Sequence, residues 1–115
     1  MIQTPVRVVG PIGIRTIILE RVCESFRGHA HHYDHTTMAV IGRISVQIGT
    51  GEPVELGPGE TIVVAAEAVH TVKALTDGAK YVCIFSHRDF DGQIVQTYQG
   101  NPYAYGHTES YGSGA

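Results

Sequence analysis

Four histidines within seven residues are the side chains of this sequence best suited to chemistry. They lie in the run GHAHHYDH, at His29, His31, His32 and His35. Imidazole is the commonest metal ligand in proteins, and it suits borderline metals such as iron, nickel, copper and zinc. So dense a cluster in a small chain predicts a metal site.

The spacing within the run matters because side chains alternate between the two faces of a β-strand. If the run is a strand, His32 and Asp34 turn to one face. His32 is then a surface residue or a neighbour of the metal ligands. Asp34 is a turn or hydrogen-bonding carboxylate, or alternatively it orients a ligand imidazole. The other face carries Tyr33 together with the predicted ligands His29, His31 and His35.

A metal ion needs ligands from more than one strand, and His70 is the predicted distant contributor. In the run HTVKAL, alternation puts His70, Val72 and Ala74 on one face, opposite Thr71 and Lys73. Because Val72 and Ala74 are apolar, burying them also turns His70 inward. Two neighbouring antiparallel strands could then present His70 and the histidine run around one point.

The elements that must position these histidines are strands. Runs rich in Val, Ile and Thr are separated by Gly, Pro and Asp, and no stretch shows a helical period. Residues 14–23 predict an early strand, and residues 29–41 predict a strand or a bent pair of strands. Residues 43–48 alternate, with Ile44, Val46 and Ile48 on one side. The turns GTGE and GPG separate later strands in TIVVAA, HTVKAL, YVCIFSH and QIVQTY.

So many short strands bury one face each only in a sandwich or a small barrel of jelly-roll type. The chain of 115 residues is long enough for one such domain. We predict a β-domain over 1–99 and a Gly-, Tyr- and Ser-rich tail over 100–115. Cys23 and Cys83 are predicted to be free, buried thiols rather than a disulfide.

Charge and hydropathy exclude several classes of partner. The formal net charge is −3 with scattered basic residues, which gives no reason to expect nucleic acid or a membrane surface. The longest apolar runs are too short to cross a bilayer, and residues 1–20 lack the pattern of a signal peptide. A cytoplasmic location is predicted by default.

At its histidines the chain resembles the cupin superfamily. The first cupin motif reads Gly, five residues, His-x-His, three or four residues, Glu, six residues, Gly. Here His29 and His31 supply the His-x-His, His35 replaces the glutamate, and Gly42 is the final glycine. Cys23 stands where the motif begins with glycine.

The second cupin motif reads Gly, five residues, Pro-x-Gly, two residues, His. Counting back from His70 places Glu67 at the second glycine, Ala65 at the proline and Gly59 at the leading glycine. The GPGE corner at 57–60 resembles the family's usual Gly-x-Gly-Asp turn. The resemblance implies an all-β, single-domain cupin fold, which is a double-stranded β-helix or jelly-roll barrel.

The resemblance also implies a divalent transition metal inside the barrel. Iron is favoured, with nickel, zinc, manganese and copper as alternatives. If His35 does not ligate, a three-histidine site remains. The full ligand set that the resemblance implies is His29, His31, His35 and His70.

By analogy with cupins, the predicted function is that of a small metal-dependent oxygenase. Its substrate would be a small molecule with an enol, diketone or catechol-like oxygen pair, and Tyr33 or His87 would handle protons as the catalytic group. The alternatives are that Tyr33 is a core residue and that His87 is an exposed histidine at the end of a strand. The alternative is a non-catalytic cupin that binds a metal or small ligand for structural, storage or sensing purposes, or as a phage accessory protein. We also predict a homodimer formed through an edge strand, which would protect the apolar N-terminal strand.

Overall fold

The fold consists of strands throughout the part of the chain that the structure describes. This computed structural model describes residues 1–28 and 34–86. Those two ranges contain no helix, and therefore none that could span a membrane. The strands are β1 (Ile2–Gln3), β2 (Arg7–Val9), β3 (Ile12–Leu19), β4 (Ser25–Gly28), β5 (His35–Ile41), β6 (Ile44–Ile48), β7 (Val54–Leu56), β8 (Thr61–Val64), β9 (His70–Ala74) and β10 (Ala79–Ser86).

The strands form two antiparallel sheets. The larger sheet has the order β1-β3-β10-β5-β8, with β2 also paired to β3, and the smaller has the order β4-β9-β6-β7. Their inner faces share one core, in which Ile17 and Tyr81 of the larger sheet join Val46 and Val72 of the smaller. Each fully buried aliphatic side chain of this kind contributes about 1.5–3 kcal/mol. The predicted two-sheet jelly-roll barrel is confirmed.

Alternation along the strands builds this core as the sequence predicts. On β6, Ile44 and Val46 are fully buried, and Ile48 packs partly buried against the same cluster. Ser45 was expected on the outer side, yet it is only 8% exposed. Its side chain is small, and its Cα partners on β7 and β9 are the longer residues Glu55 and Lys73.

The early strand ends sooner than the sequence indicates. We predicted a strand to residue 23, but β3 ends at Leu19. The backbone N–H of Glu20 then donates a hydrogen bond of 2.7 Å to the Glu24 carboxylate and closes a turn. Cys23 lies in that turn, so it is exposed and not buried as predicted. Both thiols are free, as predicted.

Two short strands that the sequence did not reveal cover the N-terminal edge. In β1, Ile2 pairs with Ile18, and in β2, Arg7 pairs with Ile14, so both strands lie against β3. The apolar strand for which we expected protection by a second copy is therefore covered by its own chain. The predicted strand at 93–98 and the tail over 100–115 lie outside the described residues.

Seven residues of the described ranges have a left-handed backbone, and four of them stand at cupin-motif positions. The φ angles are 72° at Cys23, 70° at Gly42, 85° at Gly59 and 68° at Glu67. These are the four positions that the two cupin motifs give to glycine, the residue that adopts this conformation without a steric penalty. The chain keeps the family's backbone at Cys23 and Glu67 although it has lost the glycine there.

Candidate metal centre

His35 and His70 meet inside the barrel although they belong to different sheets. His35 begins β5 and is 4% exposed, and His70 begins β9 and is 1% exposed. Their ring centroids lie 5.0 Å apart with the ring planes tilted by 55°. Val72 and Ala74 are buried beside His70, as the alternation predicts.

The separation of the two rings fits a shared ion. An imidazole that binds a metal places its ring centroid about 3.2 Å from the ion, because the metal–nitrogen bond is about 2.1 Å. Two rings that bind one ion therefore have centroids no more than about 6.4 Å apart, and those of His35 and His70 are 5.0 Å apart. His35 and His70 are close enough that both could ligate one divalent transition metal.

A backbone hydrogen bond orients the ring of His70. Its Nδ1 lies 3.3 Å from the carbonyl oxygen of Ala68. Because a carbonyl only accepts, this bond puts the ring proton on Nδ1 and leaves the lone pair on Nε2. Metal-binding histidines are commonly oriented in this way, with the second nitrogen donating to an acceptor of the protein.

Asp34 joins the two segments that carry these histidines. Its carboxylate accepts a hydrogen bond of 2.7 Å from the backbone N–H of Ala66. Asp34 directly precedes His35, and Ala66 lies in the loop that leads to His70. The predicted hydrogen-bonding role is confirmed, and the donor is a backbone amide. Asp34 is therefore a positioning residue for the histidine pair.

The histidine run is not one continuous strand. β4 ends at Gly28 in the smaller sheet, β5 begins at His35 in the larger sheet, and Asp34 belongs to no strand. His35 faces the interior of the barrel, as predicted. Because Asp34 lies outside any strand, alternation does not relate His35 to His29 and His31, and their shared face stays a prediction.

The other predicted site residues fall outside the described part of the chain. Gly28, the last residue of β4, is the Cα partner of His70, and the described residues resume at Asp34. Within 1–28 and 34–86, no three His, Cys, Asp or Glu side chains form a group able to hold a metal. The undescribed candidates are His29, His31, Tyr33 and His87.

A comparison with protein families decides the identity of this barrel. The family model for the cupin domain matches residues 21–85, a segment that contains both His35 and His70. The chain belongs to the cupin family. No functionally curated protein shows significant similarity to it.

Solved structures agree with this cupin fold. KdgF from Halomonas sp. has a TM-score of 0.64 at 23% identity, covering 77% of this chain and 82% of that chain. TT1209 from Thermus thermophilus has a TM-score of 0.63 at 23% identity, covering 75% and 82% respectively. An RmlC-like cupin with a double-stranded β-helix fold from Methanocaldococcus jannaschii has a TM-score of 0.64 at 13% identity, covering 74% and 78%. At these identities the likeness establishes the double-stranded β-helix.

Below the histidine pair, the cupin barrel contains a second group of polar side chains. Arg15, Cys83 and Thr37 are Cα partners across β3, β10 and β5, and each is at most 1% exposed. The Thr37 hydroxyl lies 3.6 Å from the Cys83 sulfur. We call these three residues the arginine layer. The sequence analysis missed Arg15, although it alternates in phase with the buried Ile17 and Leu19.

Burial disfavours the ionised forms of Cys83 and Tyr81 in this region. It raises the pKa of the Cys83 thiol to about 12, against the opposing effects of the Thr37 hydrogen bond and the Arg15 charge. Burial also raises the pKa of Tyr81 well above its ordinary value, with a smaller contribution from Cys83, while Arg15 acts in the opposite direction. The thiol and the phenol beside Arg15 therefore stay uncharged.

A cleft of about 250 Å³ lies beside His35 on the larger sheet. Its lining includes Thr36, Val63 and Ile84, which alternate with the buried residues of their strands and so belong to the outer face of that sheet. Phe85 is the Cα partner of His35, and its ring lies over Gly13, where an added Cβ would approach the ring to 2.4 Å. Gly13 therefore allows Phe85 to lie beside His35.

Proposed function

We propose that this cupin binds one divalent transition metal and acts as a small metal-dependent oxygenase on an oxygen-bearing small molecule. One observation carries the proposal: His35 and His70 are buried, come from opposite sheets, and place their rings 5.0 Å apart. Iron is the proposed metal, with nickel, zinc, manganese or copper as alternatives, and the proposed site of action is the cytoplasm. The proposed ligands are His29, His31, His35 and His70.

The proposed ligand set determines the charge of the site. Four neutral imidazoles leave a divalent ion at about +2, whereas a glutamate in place of His35 would lower the formal charge to about +1. The higher charge attracts anionic oxygen donors more strongly. It also favours the reduced state of a redox-active metal.

The residues of this chain prepare the site in three ways. The Ala68 carbonyl lies 3.3 Å from Nδ1 of His70, so the proposed ligand atom of His70 is Nε2. Asp34 joins the loop before β9 to the start of β5. Val64 and Phe85, the Cα partners of His35, flank it with apolar surface that excludes water. When bound, the metal would polarise the substrate oxygens and accept O₂ beside them. Tyr33 and His87 are the proposed proton-handling groups.

The metal content of purified variants tests this assignment. The protein is purified without added metal, and the metal bound per chain is measured by elemental analysis. His35→Ala and His70→Ala should each lower the bound metal at least tenfold, because each removes one direct ligand. His32→Ala, which changes a histidine predicted to lie on the surface, is the matched control and should keep the wild-type content. Wild-type metal in both ligand variants would mean that the site is wrongly assigned.

Oxygen consumption then separates the oxygenase from the non-catalytic alternative. Four protein ligands can saturate a tetrahedral ion and leave no open position, as in structural zinc sites. A redox-active metal together with O₂ uptake in the presence of a diketone or a catechol supports the oxygenase. Tetrahedral zinc without O₂ uptake on any member of the panel supports a cupin that binds metal or ligand for structural or sensing purposes.

A further inference from the structure

A polar cleft of about 180 Å³ lies on the smaller sheet, away from the histidine pair. Strands β4, β9 and β6 and the residue before β7 supply its lining, which consists of Ser25, Thr71, Lys73, Ser45, Gln47 and Pro53. Val46 and Val72 alternate with these residues and are buried in the core, so the cleft opens on the outer face of the sheet. The proposed metal site uses none of its side chains.

Small side chains on either side of a lysine form this cleft. Lys73 on β9 has Ser25 as its Cα partner on β4 and Ser45 as its Cα partner on β6. Ser45 lines the cleft although it is buried, so it lies at the base. The cleft is smaller than the pockets that hold drug-sized ligands, and its size therefore fits a small molecule.

The hydrogen-bond donors that line the cleft are available to a ligand. The hydroxyls of Ser25, Ser45 and Thr71 make no hydrogen bond within the ranges that the structure describes, and the Lys73 ammonium makes no ion pair there. A hydroxyl can donate one hydrogen bond and an ammonium group three. The cleft thus presents donors from three adjoining strands to one bound group.

The unpaired charges around the cleft are positive. Lys73 lines it, and Arg27, the exposed Cα partner of Thr71, lies beside it. Arg27 also makes no ion pair with the described part of the chain. On β7, the Glu55 carboxylate lies 3.6 Å from a guanidinium nitrogen of Arg43, so that negative charge is already balanced. Two unpaired cations beside neutral donors favour an anionic ligand.

The kind of donors favours phosphate over carboxylate. The planar fork of an arginine matches the two oxygens of a carboxylate, whereas a lysine binds phosphate as a point charge. A phosphate group is tetrahedral and can accept hydrogen bonds from several sides at once. We propose that this cleft binds the phosphate group of a small phosphorylated molecule, with Lys73 as the charged donor and Ser25, Ser45 and Thr71 as hydroxyl donors. The site is independent of the proposed metal centre.

A titration followed by NMR tests the inference. Glycerol 3-phosphate, glycerol and acetate are added separately to the isotope-labelled full chain at constant ionic strength, and the backbone amide shifts report both affinity and location. Glycerol 3-phosphate should bind about tenfold more tightly than glycerol and at least about threefold more tightly than acetate. The amides of β4, β6 and β9 should shift most. Equal affinity for glycerol or acetate would overturn the inference, as would shifts confined to the surroundings of His35, which would assign the phosphate to the metal.

Two charge-matched variants and one hydroxyl variant locate the site. Lys73→Gln should weaken the binding of glycerol 3-phosphate about fivefold or more, because it removes the charged donor. Lys80→Gln removes the same charge from β10 on the other sheet and should bind like the wild type. Ser45→Ala should weaken binding about two- to fivefold through the loss of one donor. The amide spectrum shows whether each variant is folded, and equal weakening in the two lysine variants would refute the assignment to this cleft.

Discussion

Burial divides the two cysteines of this cupin into a reactive and an inert thiol. Cys23 is exposed in the turn after β3, and Cys83 is buried among Thr37, Tyr81 and Arg15. The thiolate is the nucleophile of a cysteine, so a pKa of about 12 leaves Cys83 unreactive near neutral pH.

Alkylation should distinguish the two thiols. In native protein at pH 8, iodoacetamide should modify Cys23 and leave Cys83 unmodified, whereas both should react in denaturant. Mass spectrometry of the labelled chain measures the outcome. Cys23→Ser is the control and should show no labelling when native, and rapid native labelling of this variant would mean that Cys83 is accessible.

The same burial predicts how stability changes in alkaline solution. The folded state holds the Cys83 proton more tightly than the unfolded state, whose thiol has a pKa near 9.0. The contribution of Cys83 to stability is therefore complete below pH 9 and is lost as the pH rises toward 12, by at most about 1.4 kcal/mol per pH unit for this group. The raised pKa of Tyr81 adds to the decline at higher pH. Urea unfolding between pH 8 and 11 should show a shallower decline in Cys83→Ala. An equally steep decline in that variant would assign the effect to other groups.

At this scale the sequence predicts a residue well when its neighbours constrain it. The inward position of His70 follows from Val72 and Ala74. Arg15 escapes prediction because a charged residue within an apolar strand normally indicates an exposed position. The partner of Asp34 is Ala66, 32 residues away, and no local pattern indicates so distant a contact.

At the scale of elements, the strained backbone conformations lie in the turns between strands. A left-handed backbone costs a residue with a side chain roughly 1–2 kcal/mol. In the described ranges, Cys23 and Glu67 are the non-glycine residues with positive φ. Their turns hold this conformation because the strands on either side are paired, with β3 before Cys23 and β9 after Glu67.

Restoring glycine at these corners should stabilise the protein. We expect Cys23→Gly to raise the free energy of unfolding by about 1 kcal/mol, since the strain removed exceeds the added entropy of the unfolded chain. Glu67→Gly should give less, because the Glu67 side chain takes part in an interaction of its own. Urea denaturation measures both changes. Arg21→Gly, in the same turn as Cys23 but without a positive φ, should be neutral or destabilising, and a gain there equal to that of Cys23→Gly would contradict the explanation.

Strand positions follow from the sequence where a strand is long and alternates. This holds for β9 and β10, each of which buries every second residue against the core. It fails for β1 and β2, which have two and three residues and are too short to show a period. It also fails at Leu19, where the end of β3 depends on the hydrogen bond between Glu20 and Glu24.

At the scale of the molecule, the barrel has one apolar end and one polar end. Leu19, Ile44 and Ala74 belong to a fully buried apolar layer, and the histidine pair occupies the other end. The sequence predicts the fold well because the signal for the barrel is spread over many strands. It predicts the site less completely, because the approach of His35 to His70 depends on the packing of the two sheets.

The homodimer stays a prediction. We expect its two copies to meet at β8, an edge strand. β8 lies at the end of the larger sheet's order in the described residues, and its Val63 is 61% exposed. Light scattering should give about twice the chain mass of 12.4 kDa for the wild type and the monomer mass for Val63→Asp. Val54→Asp, on an exposed apolar position of β7, is the control and should remain dimeric. A monomeric wild type would refute the dimer, and a dimeric Val63→Asp would refute this edge.

His35 and His70 lie on opposite sheets, and this placement has a consequence for the lifetime of the protein. An ion held by both would cross-link the sheets at the end where the apolar layer does not hold them together. Its binding free energy would then add to that of folding. A cell short of the metal would lose this protein to degradation as well as to inactivity, so its abundance would follow the supply of the ion.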